Sequence, residues 1–587
     1  MSRATERAAL RRRLRSGLLG GLLGTLLAAP LSAARVKVEI DGVKRDLERN
    51  IRSVLSLEQE PDDKLDPTTI RRLHERAPQE IGEALQPFGY YKPQVRSELR
   101  QDGDRWIARY EVDEGPPIKI ASVDLRIDGE GAQDPSFRRI ADGFPVRRGE
   151  VLFHPNYELG KKELVDHAAE AGYLDAAFEA NEVRVDLERY QADVVVHYKT
   201  GPRYRFGPVR FVQDVVDPDL LTGYVNFEPG DPLDVNKVLE LETALSDSPY
   251  WSRVEVVTRQ DQREGLNVPI EVDLVPAKTL RFSGGAGYGT DTGPRVRGDW
   301  ELRRLNRRGH RGEAKVTASQ IEQGLELSYL IPGPYPRTDV LSFNAAYDRK
   351  DTKTSTSETE LLGAQRTQSR GDWREALSLT YQRGTFEVGL DKGTSNLVVP
   401  GASWEKVKAD DRIYTTNGYR LLLSIQGADS SVLSDSTFLQ GAVEGKAIRT
   451  LGERQRLIGR AQVGYTETKD FHRLPPRFRF FAGGDSSVRG YAYQGLGERD
   501  EADHVIGGEA LLVGSLEYEF RVLDKWGVAA FYDAGNAFHS FGGGVEQGAG
   551  FGLRWRSPIG PIRADLAWAL TDPGHPLRFH LNIGPDL

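Results

Sequence analysis

Phe480-Phe481-Ala482-Gly483-Gly484-Asp485-Ser486-Ser487-Val488-Arg489-Gly490-Tyr491 lies inside a long connection, about residues 468–506, that interrupts a run of strand-like segments. A solvated surface loop rarely carries this mixture of aromatics, glycines and one central arginine. The glycines permit tight turns, and the aromatics give the segment something to bury. If the segment is buried, Arg489 needs a carboxylate, because an unpaired guanidinium away from water is very costly. Two acids follow at strand positions. Glu517 lies in Ser515-Leu516-Glu517-Tyr518, after Gly507-Gly508, and Asp533 lies in Phe531-Tyr532-Asp533-Ala534-Gly535. A bidentate Arg–carboxylate pair would define geometry as well as energy.

On either side of the loop the sequence alternates with period two. Leu325-Glu326-Leu327-Ser328-Tyr329-Leu330, Phe343-Asn344-Ala345-Ala346-Tyr347 and Leu377-Ser378-Leu379-Thr380-Tyr381 read as strands. In Arg456 to Val463, the polar Arg456, Arg460 and Gln462 share one face, while Leu457, Gly459, Ala461 and Val463 share the other, with Ile458 the exception. That is a lumen side and a lipid side. Residues 278–587 hold about sixteen such segments, eleven before residue 470 and five after 505. The spacing, about 19 residues per strand with its connection, suits strands of ~9–11 spanning residues. A backbone in lipid must satisfy its own N–H and C=O groups, so this predicts a closed 16-stranded antiparallel transmembrane β-barrel, with a large soluble all-β domain as the alternative. Tyr329, Trp373, Tyr381, Trp555 and Trp568 are expected near strand ends, as an interfacial girdle.

Residues 35–277 follow another grammar. Val36–Ile40 alternates, Ile70–Leu85 carries apolar residues at helical spacing, and Trp106–Val112 is strand again. Phe88-Gly89-Tyr90-Tyr91 recurs as Ala171-Gly172-Tyr173-Leu174 after 83 residues and as Ser248-Pro249-Tyr250-Trp251 after 77 more. Each precedes a strand pair ending in Arg105–Val112, Asp193–Tyr198 and Val268–Leu274. Glu114-Gly115-Pro116-Pro117 and Thr200-Gly201-Pro202 close the first two. A period near 80 exceeds any solenoid unit, so each repeat is expected to be a small α+β module with two helices on one sheet face.

These Gly-Tyr and Gly-Pro signatures resemble POTRA domains, and Val488-Arg489-Gly490-Tyr491 before a barrel's last strands is similar to the signature of the POTRA-barrel outer-membrane assembly superfamily, the BamA-like proteins. The expected organisation is a signal peptide at 1–34, POTRA domains at 35–117, 118–202 and 203–277, and the barrel at 278–587. Within the superfamily the chain resembles the translocation and assembly module (TamA) subfamily. The count of three modules, the lack of a plug helix after residue 34 and the ending Gly584-Pro585-Asp586-Leu587 carry that resemblance. The superfamily resemblance implies that the loop folds back into the barrel and that Arg489 meets acids on the next two strands, here Glu517, Asp533 or both, with Val488, Gly490 and Tyr491 completing the lock. The subfamily resemblance implies autotransporters and similar unfolded outer-membrane proteins as substrates, an inner-membrane-anchored TamB-like partner on the periplasmic side, and a lipid bilayer around the barrel. A role in lipid transport is compatible with it.

Composition agrees. The 587 residues include 10 His, one Met and no Cys, with a net charge of −8 and a mean hydropathy of −0.50. No helical span other than the N-terminus approaches ~20 apolar residues, and an acidic chain lacks the basic footprint of a nucleic-acid binder. Six Arg and one Glu precede a stretch from Gly17 to Leu31 and the small residues Ser32-Ala33-Ala34, a secretory pattern; its removal takes a net +5 and leaves −13. No cofactor, metal or catalytic site is expected. His575 and His580 have no second ligand pair nearby in sequence, Gly484–Val488 lacks the second glycine of a nucleophile elbow, and no helix follows Gly285–Gly289 to bind phosphate.

A barrel must close its first strand on its last. The last is short, Leu577–Ile583, and is followed by Gly584-Pro585. Proline cannot donate to a ladder, so pairing of Leu280–Tyr288 with Leu577–Ile583 is expected to be weak at one end. Leu280 and Phe282 would face Phe579, Leu581, Ile583 and Gly584 across this seam, with Phe282 near Phe579 in register. An exposed edge templates another strand, which points to insertion or translocation of β-strand proteins through the seam. A passive channel and a dedicated two-partner-type secretion pore are the alternatives.

Overall fold

Asp66 accepts from the backbone N–H groups of Thr68 and Thr69 at 2.8 and 2.7 Å. With Pro67 at the first helical position it starts the helix Pro67–Leu85. Ile70, Leu73, Ala77, Ile81, Ala84 and Leu85 form its buried stripe. They pack on Trp106, Ala108, Tyr110 and Val112, the inward residues of the strand Arg105–Asp113. That strand is central in a three-stranded sheet, parallel to Arg35–Asp41 and antiparallel to Gln94–Asp102.

The computed structural model describes residues 35–61, 65–103, 105–411, 413–557 and 560–584. The expected signal peptide and Pro585 lie outside them. The chain divides into two units, one ending at Arg203 and the other beginning at Tyr204.

The first unit holds two modules of the same plan. In the second, the strand Gln191–Lys199 runs between Lys119–Asp128 and Ala177–Asp186, under the helices Pro135–Asp142 and His154–Glu170. The Gly-Tyr signature marks the joint between them. Gly89 has φ +88°, and a Cβ there would lie 2.5 Å from the Leu152 carbonyl oxygen. The Ile118 N–H donates to the Gly89 carbonyl at 2.8 Å. Glycine is required because the left-handed turn and the close approach of the next module coincide.

The second unit begins with a third module, with the strands Arg205–Val212, Trp251–Thr258 and Asn267–Pro276 and the helix Val235–Ser246. Here Pro249-Tyr250 stands in place of Gly-Tyr, and the tyrosine reaches the barrel. The Tyr250 hydroxyl donates to the Gly309 carbonyl at 2.6 Å, in the turn after the second barrel strand. Arg307 of that turn donates from Nε to Asp217 and from Nη1 to the Asp214 carbonyl. Removing a buried aromatic ring costs about 3–5 kcal/mol. Tyr250→Ala is therefore expected to loosen this dock, seen as faster protease nicking near residues 276–280 while the barrel stays heat-modifiable on gels. Unchanged resistance would show that the module is held by its other contacts.

The barrel is a sixteen-stranded antiparallel meander in sequence order. Eleven strands run from Leu280–Gly289 to Gln455–Thr468. Five follow the long connection: Ala510–Arg521, Trp526–Phe538, Glu546–Ser557, Gly560–Ala569 and Leu577–Ile583. Alternation sorts the faces. In Ala510–Arg521, Val513, Glu517 and Glu519 are buried inward, while Leu512, Leu516, Tyr518 and Phe520 face outward. Tyr381 departs from the girdle expectation. It sits mid-strand, because its strand, Trp373–Val388, runs 16 residues, well beyond a membrane-spanning length. The end of that strand, Phe386 and Val388, packs beneath Phe471 and Ile506 of the long connection.

Candidate functional site

The inward positions of four neighbouring strands build the receptor for the loop. Phe531 and Asp533 come from the thirteenth strand, Glu517 and Glu519 from the twelfth, Arg554 from the fourteenth and Asp565 from the fifteenth. The loop returns into the barrel and places Arg489 among them. Arg489 donates to Asp533 from Nε at 2.7 Å and from Nη2 at 3.0 Å. Its Nη1 donates to Glu517 at 2.7 Å and to Asp565 at 3.0 Å, and Nη2 reaches the Ser515 hydroxyl at 3.5 Å. The backbone N–H of Arg489 also donates to Asp533, at 3.1 Å. The guanidinium lies 3.4 Å from the centroid of the Phe531 ring. Each of its donors has an acceptor and one face has an aromatic partner, the arrangement that offsets burial of a cation.

Both acids expected from the sequence, Glu517 and Asp533, meet Arg489. Asp565, Arg554 and Glu519 had not been singled out. Asp565 is the third carboxylate. Arg554 donates to Glu517 at 2.7 Å, to Glu519 at 3.0 Å and to Asp565, so that acids of the twelfth and fifteenth strands share this cation. Period-two alternation carried the signal, since all three residues stand on inward positions of apolar-out strands.

The other lock residues hold the loop's shape. Val488 is fully buried with Ala482, Tyr491, Leu496 and Val513. The Tyr491 hydroxyl lies 3.0 Å from Glu546 and 2.7 Å from Thr571. Gly490 has φ +100°, and a Cβ there would lie 2.9 Å from the Ala569 backbone nitrogen. A second buried arginine anchors the outer part of the loop. Arg479 donates to Asp391 at 2.8 Å and to the carbonyls of Leu474, His472 and Ile506.

Gly548 is another residue that sequence reading passed over. A Cβ there would stand 2.0 Å from the Arg489 carbonyl oxygen. Gly548→Ala is expected to push the loop out of its seat while the barrel still forms, detected as new surface-protease cleavage within residues 483–495. A loop as protected as in the parent would show that the strand can yield.

The seam differs from the expectation. Neighbouring strands elsewhere share continuous ladders, but the first strand, Leu280–Gly289, has no paired register with the last among the described residues. Backbone hydrogen bonding between the two edges starts one residue beyond it. The Thr290 N–H donates to the Leu581 carbonyl at 3.2 Å, and the Leu581 N–H donates to the Thr290 hydroxyl. Arg295 adds a bond to the Ile583 carbonyl at 3.0 Å. Among the described residues, hydrogen bonding between the edges is confined to these few groups at one end of the first strand. Leu280 and Phe282 pair only with the second strand, through Leu302 and Trp300, and Phe579 pairs with Leu566. Phe282 does not face Phe579. Eight residues separate it from Thr290, about 26 Å of strand, because the two edges meet in a staggered register. Gly584 donates its N–H to the Pro561 carbonyl.

Asp291, Asp485 and His580 gather beside this contact, with ligand-type atoms within 4.8 Å of one another. Burial, reinforced by the neighbouring Asp485 charge, pushes the Asp291 carboxyl up to about 6. The group is not arranged for a cation. The Gly490 N–H donates to His580 Nε2 at 2.9 Å. A metal on Nδ1 would require a proton on Nε2, where that donor already points.

An outward apolar band, a polar lumen and soluble modules ahead of the barrel define an outer-membrane β-barrel with periplasmic domains. Residues 305–586 match the Omp85 superfamily domain, and residues 37–114 match the POTRA domain TamA domain 1. The chain is 23% identical over 581 residues to the outer membrane protein assembly factor BamA of Nitratidesulfovibrio vulgaris, covering 93% of this chain and 72% of that protein. It shares its fold with the crystal structure of Haemophilus ducreyi BamA lacking POTRA domains 1–3, with a TM-score of 0.66 and 17% identity over 80% of this chain and 99% of that one. CdiB from Acinetobacter baumannii aligns with a TM-score of 0.43 and 13% identity, over 88% of this chain and 98% of that one. The protein resides in the outer membrane, with its POTRA-bearing part in the periplasm.

Proposed function

We propose that this protein is the outer-membrane subunit of a translocation and assembly module, inserting or translocating unfolded outer-membrane proteins, autotransporters among them, through the seam between its first and last strands. The observation that carries this is the seam itself, where the two edge strands share no ladder among the described residues and meet through Thr290 and Arg295. Unpaired strand edges are templates for another strand. A client strand can pair with either edge and leave sideways into lipid with its backbone groups satisfied. The lock holds the loop in the lumen beside that opening.

The soluble modules supply a second set of edges. In the first, Arg35–Asp41 and Gln94–Asp102 flank the sheet, and added strands bind through main-chain hydrogen bonds that tolerate varied sequences. The TamA-type match of this module supports an inner-membrane-anchored TamB-like partner docking there. Residues 118–202 and 203–277 share its strand-helix-helix-strand-strand order and are read as two further POTRA domains, behind a signal peptide at 1–34.

A general barrel-assembly role like that of BamA is the second reading, favoured by the relative of that name aligned over 93% of the chain. Affinity capture of the full-length protein from crosslinked, detergent-solubilised membranes separates the two. Recovery of one very large inner-membrane-anchored protein supports the translocation and assembly module. Recovery of small lipoproteins supports the BamA-like role, and capture of a single exported protein would replace both with a dedicated secretion pore.

A further inference from the structure

One loop residue that the lock does not use touches both edges of the seam. Asp485 stands four residues before Arg489, and its side chain is 8% exposed. Its backbone N–H donates to the Asp291 carboxylate at 2.7 Å, and Asp291 belongs to the turn between the first and second barrel strands. Its own carboxylate accepts from His580 Nδ1 at 2.5 Å, and His580 belongs to the last strand. A second loop group, the Gly490 N–H, donates to His580 Nε2 at 2.9 Å. A donor on Nε2 leaves the ring proton on Nδ1, so the loop sets both the tautomer and the orientation of this histidine.

We propose that Asp485 and His580 are positioning residues that form a clasp, through which the returning loop holds the first and last barrel strands together, so that the seam parts only when the loop lets go. Its role in transport rests on the lateral-exit reading above; its geometry does not. Three observations support the clasp. Among the described residues the direct seam hydrogen bonds are few, and the Leu581 N–H is satisfied by the Thr290 side chain rather than by a ladder partner. The clasp bonds are buried, and the His580 side chain is only 2% exposed, so they are not diluted by water. Finally, Gly484 beside Asp485 has φ +103°, and a Cβ there would lie 2.5 Å from the Asp291 carboxylate, so the loop is shaped to bring Asp485 against the first hairpin.

The clasp makes a chemical prediction that packing alone does not. Glutamine carries an acceptor and a donor on one planar group. It can accept from Gly490 and donate to Asp485, whereas alanine can do neither. The test uses the full-length protein in lipid nanodiscs. Spin labels are placed on cysteines introduced at Tyr288 and Leu577, two outward-facing positions on the two edges, in a chain that has no cysteine of its own. The parent is expected to give one narrow distance distribution. His580→Ala is expected to raise the population of longer distances by about tenfold, the effect of losing a hydrogen bond to a charged group, and His580→Gln to restore the narrow distribution. Asp485→Ala carries the same test from the loop side if His580→Ala yields no heat-modifiable barrel. A narrow seam in the alanine variants overturns the clasp whatever their activity. A glutamine variant as broad as the alanine variant also overturns it, in favour of ring packing. A widened seam with unchanged insertion of client barrels leaves the clasp standing and shows that insertion does not wait on its release.

Discussion

Arg489→Ala is expected to release the loop from a barrel that still folds. The substitution strands Glu517, Asp533 and Asp565 around a vacated guanidinium site, with Arg554 left to serve two of them. Breaking a buried pair by removing one partner costs about 3–5 kcal/mol, because the remaining charge stays buried without compensation. The docked-to-released ratio of the loop should fall by roughly two to three orders of magnitude at ~1.4 kcal/mol per decade. The sixteen-stranded ladder does not depend on that bond, so heat-modifiable mobility on gels should persist. Surface protease should then cut within residues 483–495, and assembly of client barrels should drop sharply. Arg489→Lys should fall in between or near alanine, since one ammonium cannot reproduce a planar fork that reaches three carboxylates. A loop as protected in Arg489→Ala as in the parent, together with full activity, would remove the lock from the mechanism.

The second large effect concerns the seam. A disulfide between cysteines at positions 290 and 581 is expected to abolish insertion and reduction to restore it. The Thr290 N–H to Leu581 carbonyl contact at 3.2 Å brings these two backbones together, where a disulfide can span, and no native cysteine competes. Each single cysteine variant should stay active, which separates the crosslink from loss of the Thr290 hydroxyl. Client barrels delivered to cells and scored for membrane insertion provide the measurement. Full activity in a completely crosslinked population would sink lateral exit. The staggered seam also explains why positions 282 and 579 are unsuited to this test: they lie on the two strands but far from the contact.

Much of this architecture is legible in local patterns. Period-two alternation is a property of each strand by itself, so eleven strands before the long connection and five after it can be counted without knowing how they pair. The faces of Glu517 and Asp533 follow from the same alternation; the cost of a buried, unpaired guanidinium says that Arg489 needs a carboxylate, and the resemblance of its loop to a known signature points to these two. The helical stripe from Ile70 to Leu85 and its cap at Asp66 are equally local, as is the Gly-Tyr repeat, although its role as a joint needs the neighbouring module to be seen.

Register is not local. Sliding one strand past another by two residues keeps every side chain on its face, so alternation places Asp565, Arg554 and His580 in the lumen without saying which loop atom each will meet. Asp565 joins Arg489 across 76 residues of chain, and His580 joins Asp485 across 95. Whether Phe282 opposes Phe579, or Thr290 opposes Leu581, depends on the stagger accumulated around all sixteen strands. The sequence by itself determined the strands, their faces and the arginine that must find acids. Only closure of the barrel decided which acids they are, which glycine makes room for the loop, and where the two edges touch, because those distances are sums over the whole sheet rather than properties of any one segment.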